Sequence, residues 1–197
     1  MSTYPLSRLV NLRLYTLFFN ISHLSYTDQL FKMTSQSIAN AKVIGIKHRN
    51  VSYIERHAIR VVAFNSAGEV ALVYAKRDNY YKLPGGGIDP GEDHAVAAQR
   101  EMQEETGGLI KLRTQQCIAE TEEYRNDLHQ TSYCYVADLV DGTGKPNLTE
   151  DEIQDGLIHQ WKSVDEAKDL LAAVEPKSEL GRYIKERDSY LLEEATK

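Results

Sequence analysis

A run of proline and three glycines at residues 83–87 (Leu-Pro-Gly-Gly-Gly) constrains the fold of this chain more than any other feature. Proline has no backbone N–H group and glycine destabilises regular elements, so neither a helix nor a central strand can pass through the run. The run must therefore form a loop. A β-branched apolar stretch precedes it and an acid-rich stretch with helical spacing follows it, so the loop is predicted to connect a sheet to a helix.

The surrounding pattern predicts mixed α and β structure. Two apolar runs, residues 58–64 (AIRVVAF) and 69–75 (EVALVYA), predict a hairpin, and a helix is predicted from an N-cap at Asp89 to about Thr106, where Gly107 ends it. The other predicted elements are strands at 110–112, 116–120, 131–139 and 157–161, a loop at 141–155, and helices at 163–173 and 178–192. Because strands and helices do not alternate regularly, an α+β or layered α/β/α domain is favoured over a doubly wound sheet.

Three glutamates share one side of the helix that follows the loop. At about 100° per residue, Glu101, Glu104 and Glu105 fall within a wedge of about 100°. An apolar strip borders this wedge and is predicted to face the core: Ala95, Ala98 and Met102. Such a cluster, taken alone, is more often a solvated acidic helix face. Carboxylate oxygens beside a glycine loop are, however, what Mg²⁺ or Mn²⁺ requires to be held against a phosphate.

The spacing of the whole segment decides between these interpretations. The fixed residues, in order, are Gly86, Glu92, Arg100, Glu101, Glu104, Glu105 and Gly107. With each of them at a frequency of about 6%, the pattern arises by chance in about one of a million chains of this length. The segment is therefore a motif rather than a chance acidic face.

Residues 86–108 (GGIDPGEDHAVAAQREMQEETGG) resemble the Nudix box of the Nudix hydrolases. They depart from the family pattern at Gly108, where the family usually carries an aliphatic residue. A looser similarity covers residues 57–173, including the loop entry at 81–86 and the closing strand and helix at 161–167. The resemblance implies an α+β fold, a Nudix-like α/β/α sandwich with a mixed sheet. We predict that residues 51–197 form the domain and that residues 1–50 form an extension.

The resemblance also implies a site for metal-dependent hydrolysis of a nucleoside diphosphate linked to another group. Carried onto this chain, Glu101, Glu104 and Glu105 would bind Mg²⁺ or Mn²⁺, and Arg100 would orient the carboxylates. Gly86 and Gly87 would let the loop approach the diphosphate.

The general base varies within that family. In this chain it would be a glutamate of the box or an acid of the loop at 150–152, where Glu152 is the candidate and a solvated acidic loop is the alternative. Tyr81 could stack on a base and Arg77 could contact phosphates, although ordinary surface roles are common for both residue types.

The substrate predicted for this site is a nucleoside triphosphate, ordinary or oxidised, cleaved to a nucleotide and pyrophosphate or phosphate. Hydrolysis of a dinucleoside polyphosphate or of ADP-ribose is the alternative. A non-catalytic nucleotide-binding module is the rival from a different class, and the intact Arg100, Glu101, Glu104 and Glu105 argue against it.

The net charge and the residue composition exclude some classes of binding partner. The net charge of −6 and the pI near 5.5 argue against a DNA or RNA backbone binder, so a small nucleotide is the expected partner. No apolar run is long enough to span a membrane, and a homodimer is compatible with the sequence. Cys117 and Cys134 lack disulfide or zinc-ligand spacing, which favours a reducing compartment such as the cytoplasm.

The first 32 residues have a different composition. They contain Arg8, Arg13 and Lys32 against a single acidic residue, Asp28. Acid-poor, Arg-containing N-termini are typical of mitochondrial import signals. A terminal helix packed on the domain, or an upstream extension with the natural start at Met33, explains the same composition, and the sequence does not choose among the three.

Overall fold

The computed structural model describes residues 41–197, which form a mixed β-sheet with helices on both faces. The strands are β1 (Lys42–Gly45), β2 (Ile54–Phe64), β3 (Val70–Ala75), β4 (Tyr80–Lys82), β5 (Leu109–Leu112), β6 (Ala119–Arg125), β7 (Leu128–Asp141) and β8 (Leu157–Lys162). The helices are α1 (His94–Thr106), α2 (Glu150–Asp155), α3 (Val164–Ala173) and α4 (Glu179–Ala195). The three interpretations of residues 1–32 lie outside the described residues.

The sheet is built around a long parallel pair. β2 and β7 run side by side from Ile54 opposite Leu128 to Phe64 opposite Asp138. The strand order is β1-β6-β7-β2-β3-β4, and β5 also pairs with β7 and β8 with β3. The pair of β1 and β6 is parallel and the remaining pairs are antiparallel. The predicted hairpin of β2 and β3 exists, but its register consists of a single residue pair.

Both faces of the sheet are buried, and this confirms the predicted sandwich. Along β2, Ile59, Val61 and Ala63 point to one face, where they pack with Ala98 and Met102 of α1. Alternate residues point to the other face, where a second cluster contains Val62, Leu171 of α3 and Leu191 of α4. The period of two along a strand therefore places α1 on one side of the sheet and α3 and α4 on the other.

The predicted start of α1 was wrong, whereas its end is confirmed. Asp93, not Asp89, is the N-cap, and its side chain accepts a hydrogen bond of 2.8 Å from the N–H group of Ala95. Residues 89–92 form a turn instead, because Gly91 has a φ of +81° and cannot continue a helix. The helix ends at Thr106, and Gly107 follows with a φ of +75°.

Other differences concern short elements. The loop predicted at 141–155 contains α2, which begins with a capping box of Thr149 and Glu152. The strand predicted at 116–120 lies at Ala119–Arg125. β1 was not predicted, and β4 was implied only by the family resemblance of residues 81–86. Ala95, predicted to face the core, is exposed because it lies in the first turn of α1, before the buried part of the helix begins.

Within residues 41–197, no helix has the length and apolar character needed to cross a membrane. In the same range, Cys134 is buried and Cys117 is half-buried, and both are free thiols.

Candidate active site

The glycine loop lies along an edge of β2. The N–H group of Ile59 donates to the carbonyl oxygen of Gly86, and that of Val61 donates to the carbonyl oxygen of Pro84, both over 2.9 Å. In the opposite direction, the N–H group of Ile88 donates to the carbonyl oxygen of His57 over 3.0 Å. The loop therefore takes the place of a neighbouring strand, which explains why β3 pairs with β2 at only one position. This pairing fixes the loop to the centre of the sheet.

Two of the glycines are required by close contacts. Gly85 has a φ of +137°, and a Cβ atom there would lie 2.2 Å from the carbonyl oxygen of Ile59. A Cβ atom on Gly86 would lie 2.4 and 2.5 Å from the two carboxylate oxygens of Glu101. The absence of side chains therefore brings the loop backbone directly against a carboxylate of α1.

α1 brings the three glutamates to one side, as the helical spacing predicts. Glu101 and Glu105 are buried, at 7% and 2% exposure, and Glu104 is half-buried. Burial raises the pKa of Glu101, although its hydrogen bond from Arg100 opposes the shift. The charge of Glu105 raises this pKa further. The cluster is thus a set of enclosed carboxylates that a cation would stabilise.

Arg100 connects the carboxylates to one another and to the loop. Its Nε and Nη2 atoms each donate over 2.9 Å to the carboxylate of Glu92, and its Nη1 atom donates to Glu101 over 2.8 Å and to Glu104 over 3.2 Å. Nη2 also donates to the carbonyl oxygen of Gly87 over 2.8 Å. These hydrogen bonds raise the pKa of Arg100, and the bond from Arg100 lowers that of Glu92. The arginine fork thus fixes the directions of several carboxylates at once.

Glu105 has different partners, which sequence reasoning missed. Its Oε1 atom accepts from the Nζ atom of Lys82 over 2.5 Å, and its Oε2 atom accepts from the N–H group of Gly85 over 3.1 Å. Both side chains are enclosed, with 13% of Lys82 and 1% of Glu105 exposed. Glu105 therefore connects α1 to β4 and to the glycine loop.

The other side of the loop rests on a buried ionic network, which was also not predicted. Asp188 of α4 accepts from the N–H group of Leu83 over 2.9 Å and forms an ion pair with Arg187, whose Nη1 atom also donates to Glu123 over 3.1 Å. Arg60 is 5% exposed and donates to the carbonyl oxygen of Gly86. The helical spacing of Ile184, Asp188 and Leu191, all buried in α4, was the available sequence signal.

The remaining predicted site residues contact other parts of the chain. The ring centroids of Tyr81 and Tyr74 lie 4.8 Å apart. Arg77 forms an ion pair with Asp155. The carboxylate of Glu152 accepts a hydrogen bond from the N–H group of Thr149 at the start of α2. None of these contacts involves the glycine loop or the glutamates of α1. The roles suggested for Tyr81, Arg77 and Glu152 stay predictions.

An open cavity of about 610 Å³ adjoins Glu104, whereas Glu101, Glu105 and the glycine loop do not line it. Glu104 and Arg100 line it on the α1 side, and Lys145 and Asn147 line it from the segment before α2. The N–H group of Asn147 donates over 2.7 Å to the carbonyl oxygen of Glu104, which holds that segment against the helix. The volume lies in the range of small-molecule sites, which is about 300–1,000 Å³.

The donor set fits a hard divalent cation. Oxygen atoms of Glu101 and Glu104 accept from the same Nη1 atom of Arg100, and the carboxylate of Glu101 lies directly against the backbone of Gly86. Within residues 41–197, no three acidic, histidine or cysteine side chains converge as a ready-made metal site. A cation here would need water or substrate oxygens as further ligands, which is the usual way in which Mg²⁺ binds beside phosphates.

The chain is similar in sequence to known proteins. A family model described as NUDIX domain matches residues 55–183, more than half of the chain. An RNA pyrophosphohydrolase of Roseobacter denitrificans is 39% identical over 72 residues, which cover 35% of this chain and 43% of the relative. A putative 8-oxo-dGTP diphosphatase of Bacillus subtilis is 33% identical over 69 residues, 35% of this chain and 46% of the relative. The matches thus span less than half the length of these two relatives.

A solved structure shows a similar fold. The NUDIX hydrolase from Nitrosomonas europaea superposes with a TM-score of 0.53 at 18% sequence identity, over 72% of this chain and 88% of that chain. At this identity the likeness concerns the fold alone.

Proposed function

We propose that this chain, which belongs to the NUDIX domain family, hydrolyses a phosphoanhydride bond in a nucleoside diphosphate linked to another group, with the help of a divalent cation. The observation that carries the proposal is the contact of Arg100 with Glu92, Glu101 and Glu104 beside the glycine loop. A structural acidic face does not require an arginine whose fork also binds the loop carbonyl of Gly87.

The residues divide the work as follows. Glu101, Glu104 and Glu105 supply carboxylate oxygens for Mg²⁺ or Mn²⁺, and Arg100 holds Glu101 and Glu104 in fixed directions. When bound, the cation supplies positive charge for the phosphate oxygens and lowers the pKa of a bound water. Gly86 and Gly87 give the diphosphate access to a loop backbone without side chains, and at Gly86 the missing side chain also lets the Glu101 carboxylate lie against the loop.

The attacking water must lose a proton to a base. Glu104 suits this task because it lines the cavity. Within the described residues, its carboxylate accepts a single hydrogen bond, which comes from Arg100. The water oxygen bonds to phosphorus, the anhydride P–O bond breaks, and one phosphate product leaves. Glu152 is the second candidate base, but its carboxylate is bonded to the N–H group and the hydroxyl of Thr149.

The substrate class proposed is a nucleoside triphosphate, ordinary or oxidised. Support comes from the relative that is named as a putative 8-oxo-dGTP diphosphatase. A dinucleoside polyphosphate or ADP-ribose is the alternative, and an RNA joins these alternatives because another relative is named as an RNA pyrophosphohydrolase.

A substrate panel tests the proposal. We expect release of phosphate or pyrophosphate from a nucleoside triphosphate or oxidised dGTP with Mg²⁺ or Mn²⁺, and none with a chelator. ADP-ribose, a diadenosine polyphosphate and a 5′-triphosphorylated oligonucleotide serve as the competing substrates. No turnover of any of them by folded, metal-binding protein would favour a non-catalytic nucleotide-binding module.

Gly86→Ala tests the contact between the loop and Glu101. The added Cβ atom would meet both carboxylate oxygens of Glu101, so the carboxylate must move, and a displacement of about 1 Å in an active site costs about 100-fold in turnover. Gly142→Ala is the matched control, because Gly142 lies outside the glycine loop and its Cβ atom would meet only the side chain of Leu139, at 3.1 Å. Equal turnover by the two variants, measured as kcat, would contradict the proposed role of Gly86.

A further inference from the structure

Lys82 introduces a cation into the carboxylate cluster. It lies at the end of β4, one residue before Leu83 and the loop, and its Nζ atom is 2.5 Å from Oε1 of Glu105. Nζ also lies 3.4 Å from the carbonyl oxygen of Gly85. The charge of Lys82 also acts on Glu101, whose pKa it lowers. The ammonium group therefore lies between the buried carboxylate of Glu105 and a carbonyl oxygen of the loop.

This arrangement differs from that of Arg100. The guanidinium of Arg100 binds its carboxylates from the side and leaves Glu104 open to the cavity. Lys82 donates a hydrogen bond to Oε1 of Glu105, and the N–H group of Gly85 donates to Oε2. Within the described residues, both oxygens of Glu105 thus have a donor, and the pair is almost fully enclosed.

An ammonium group and a divalent cation both bind to the carboxylate oxygens of Glu105. Both are compact charges that bind carboxylate oxygens, and two cations at one buried carboxylate repel each other strongly. A divalent cation that uses Glu105 must therefore displace Lys82 or bind against its charge.

We propose that Lys82 is a tethered cation that competes with the divalent cation for Glu105 and so weakens metal binding by the cluster. The inference rests on the proposed function for the metal site, but not on which substrate is cleaved. It gives Lys82 two effects. Lys82 keeps Glu105 neutralised and the loop attached to α1 when no metal is bound, and it makes Glu105 a weaker metal ligand than it would be without the ammonium group.

Titration with Mn²⁺ tests this, with free Mn²⁺ measured by electron paramagnetic resonance. Lys82→Met keeps a long unbranched side chain and removes the charge, so we expect Mn²⁺ to bind at least about tenfold more tightly, a change of about 1.4 kcal/mol. Lys82→Arg keeps the charge and should bind Mn²⁺ like the original chain. Binding by Lys82→Met that is no tighter than that of the original chain would overturn the proposal.

Thermal unfolding gives a second readout that does not depend on activity. In chelator, Lys82→Met leaves the buried Glu105 without a cation, so its melting temperature should fall by about 5 °C or more. Saturating Mn²⁺ should then raise the melting temperature more in Lys82→Met than in the original chain. An equal rise in both proteins would contradict competition at Glu105.

A third variant separates the failure of this inference from the failure of the metal site. Glu104→Gln removes a proposed ligand that Lys82 does not touch. If Glu104→Gln leaves Mn²⁺ binding unchanged, the proposed metal site itself is wrong. If Glu104→Gln weakens binding while Lys82→Met does not strengthen it, the metal site stands and only the role of Lys82 is wrong.

Discussion

Glu104→Gln is expected to lower turnover by at least about 100-fold while the fold survives. The carboxylate is half-buried and receives one hydrogen bond, from Arg100, so the isosteric amide removes a negative charge without leaving a cavity. The change also relieves repulsion between Glu104 and Glu101. The measurement is kcat at saturating Mg²⁺, together with a thermal melt that shows the variant to be folded.

Glu186→Gln is the control for this substitution. Glu186 is an exposed glutamate of α4 whose described ion pair is with Lys42, so its amide variant should keep normal turnover. Unchanged hydrolysis by Glu104→Gln would remove Glu104 from the catalytic residues. Glu105→Gln is expected to lose turnover as well, but with a loss of stability, because Glu105 is buried against Lys82.

Arg187→Met is expected to destabilise the fold by about 3–5 kcal/mol, the usual cost of removing one partner of a buried ion pair. Burial lowers the pKa of Arg187, but the charges of Asp188 and Glu123 more than offset this, so the pKa is raised. The variant would leave these two carboxylates buried, at 0% and 3% exposure, without their cation. The melting temperature should fall by about 6–20 °C for a chain of this size.

Arg182→Met is the control on the same helix. Arg182 is exposed, so its replacement should change the free energy of unfolding by less than about 0.5 kcal/mol. Thermal or denaturant unfolding of both variants decides the matter. Equal stability of Arg187→Met and the original chain would show that the network does not support the loop through Asp188.

Local patterns in the sequence were sufficient for much of the fold. The apolar runs of β2 and β3 and the glycine after Thr106 each depend on neighbouring residues, and the structure confirms them. β1 and β4 have four and three residues, too few to show a period. The wrong start of α1 came from interpreting Asp89 and Glu92 as a capping box, although Pro90 and Gly91 carry the signature of a type II turn.

The candidate site divides in the same way. Arg100 and the three glutamates lie on one helix, so their spacing predicts that they share a side. Lys82 and Asp188 reach the loop from β4 and α4, and such contacts between distant parts of the chain leave no periodic signal. The motif therefore predicts the carboxylates but not the cation beside Glu105 or the ionic network beneath the loop.

Hydrolysis in ¹⁸O-labelled water tests the central claim most directly. A nucleoside triphosphate is incubated with the protein and Mg²⁺, and the products are analysed by ³¹P nuclear magnetic resonance and mass spectrometry. The account predicts one ¹⁸O atom per turnover, in one of the two phosphate products, and its loss with chelator or with Glu104→Gln. Equal label incorporation with and without the metal, or in the original chain and Glu104→Gln, would contradict a metal-dependent attack of water at this carboxylate cluster.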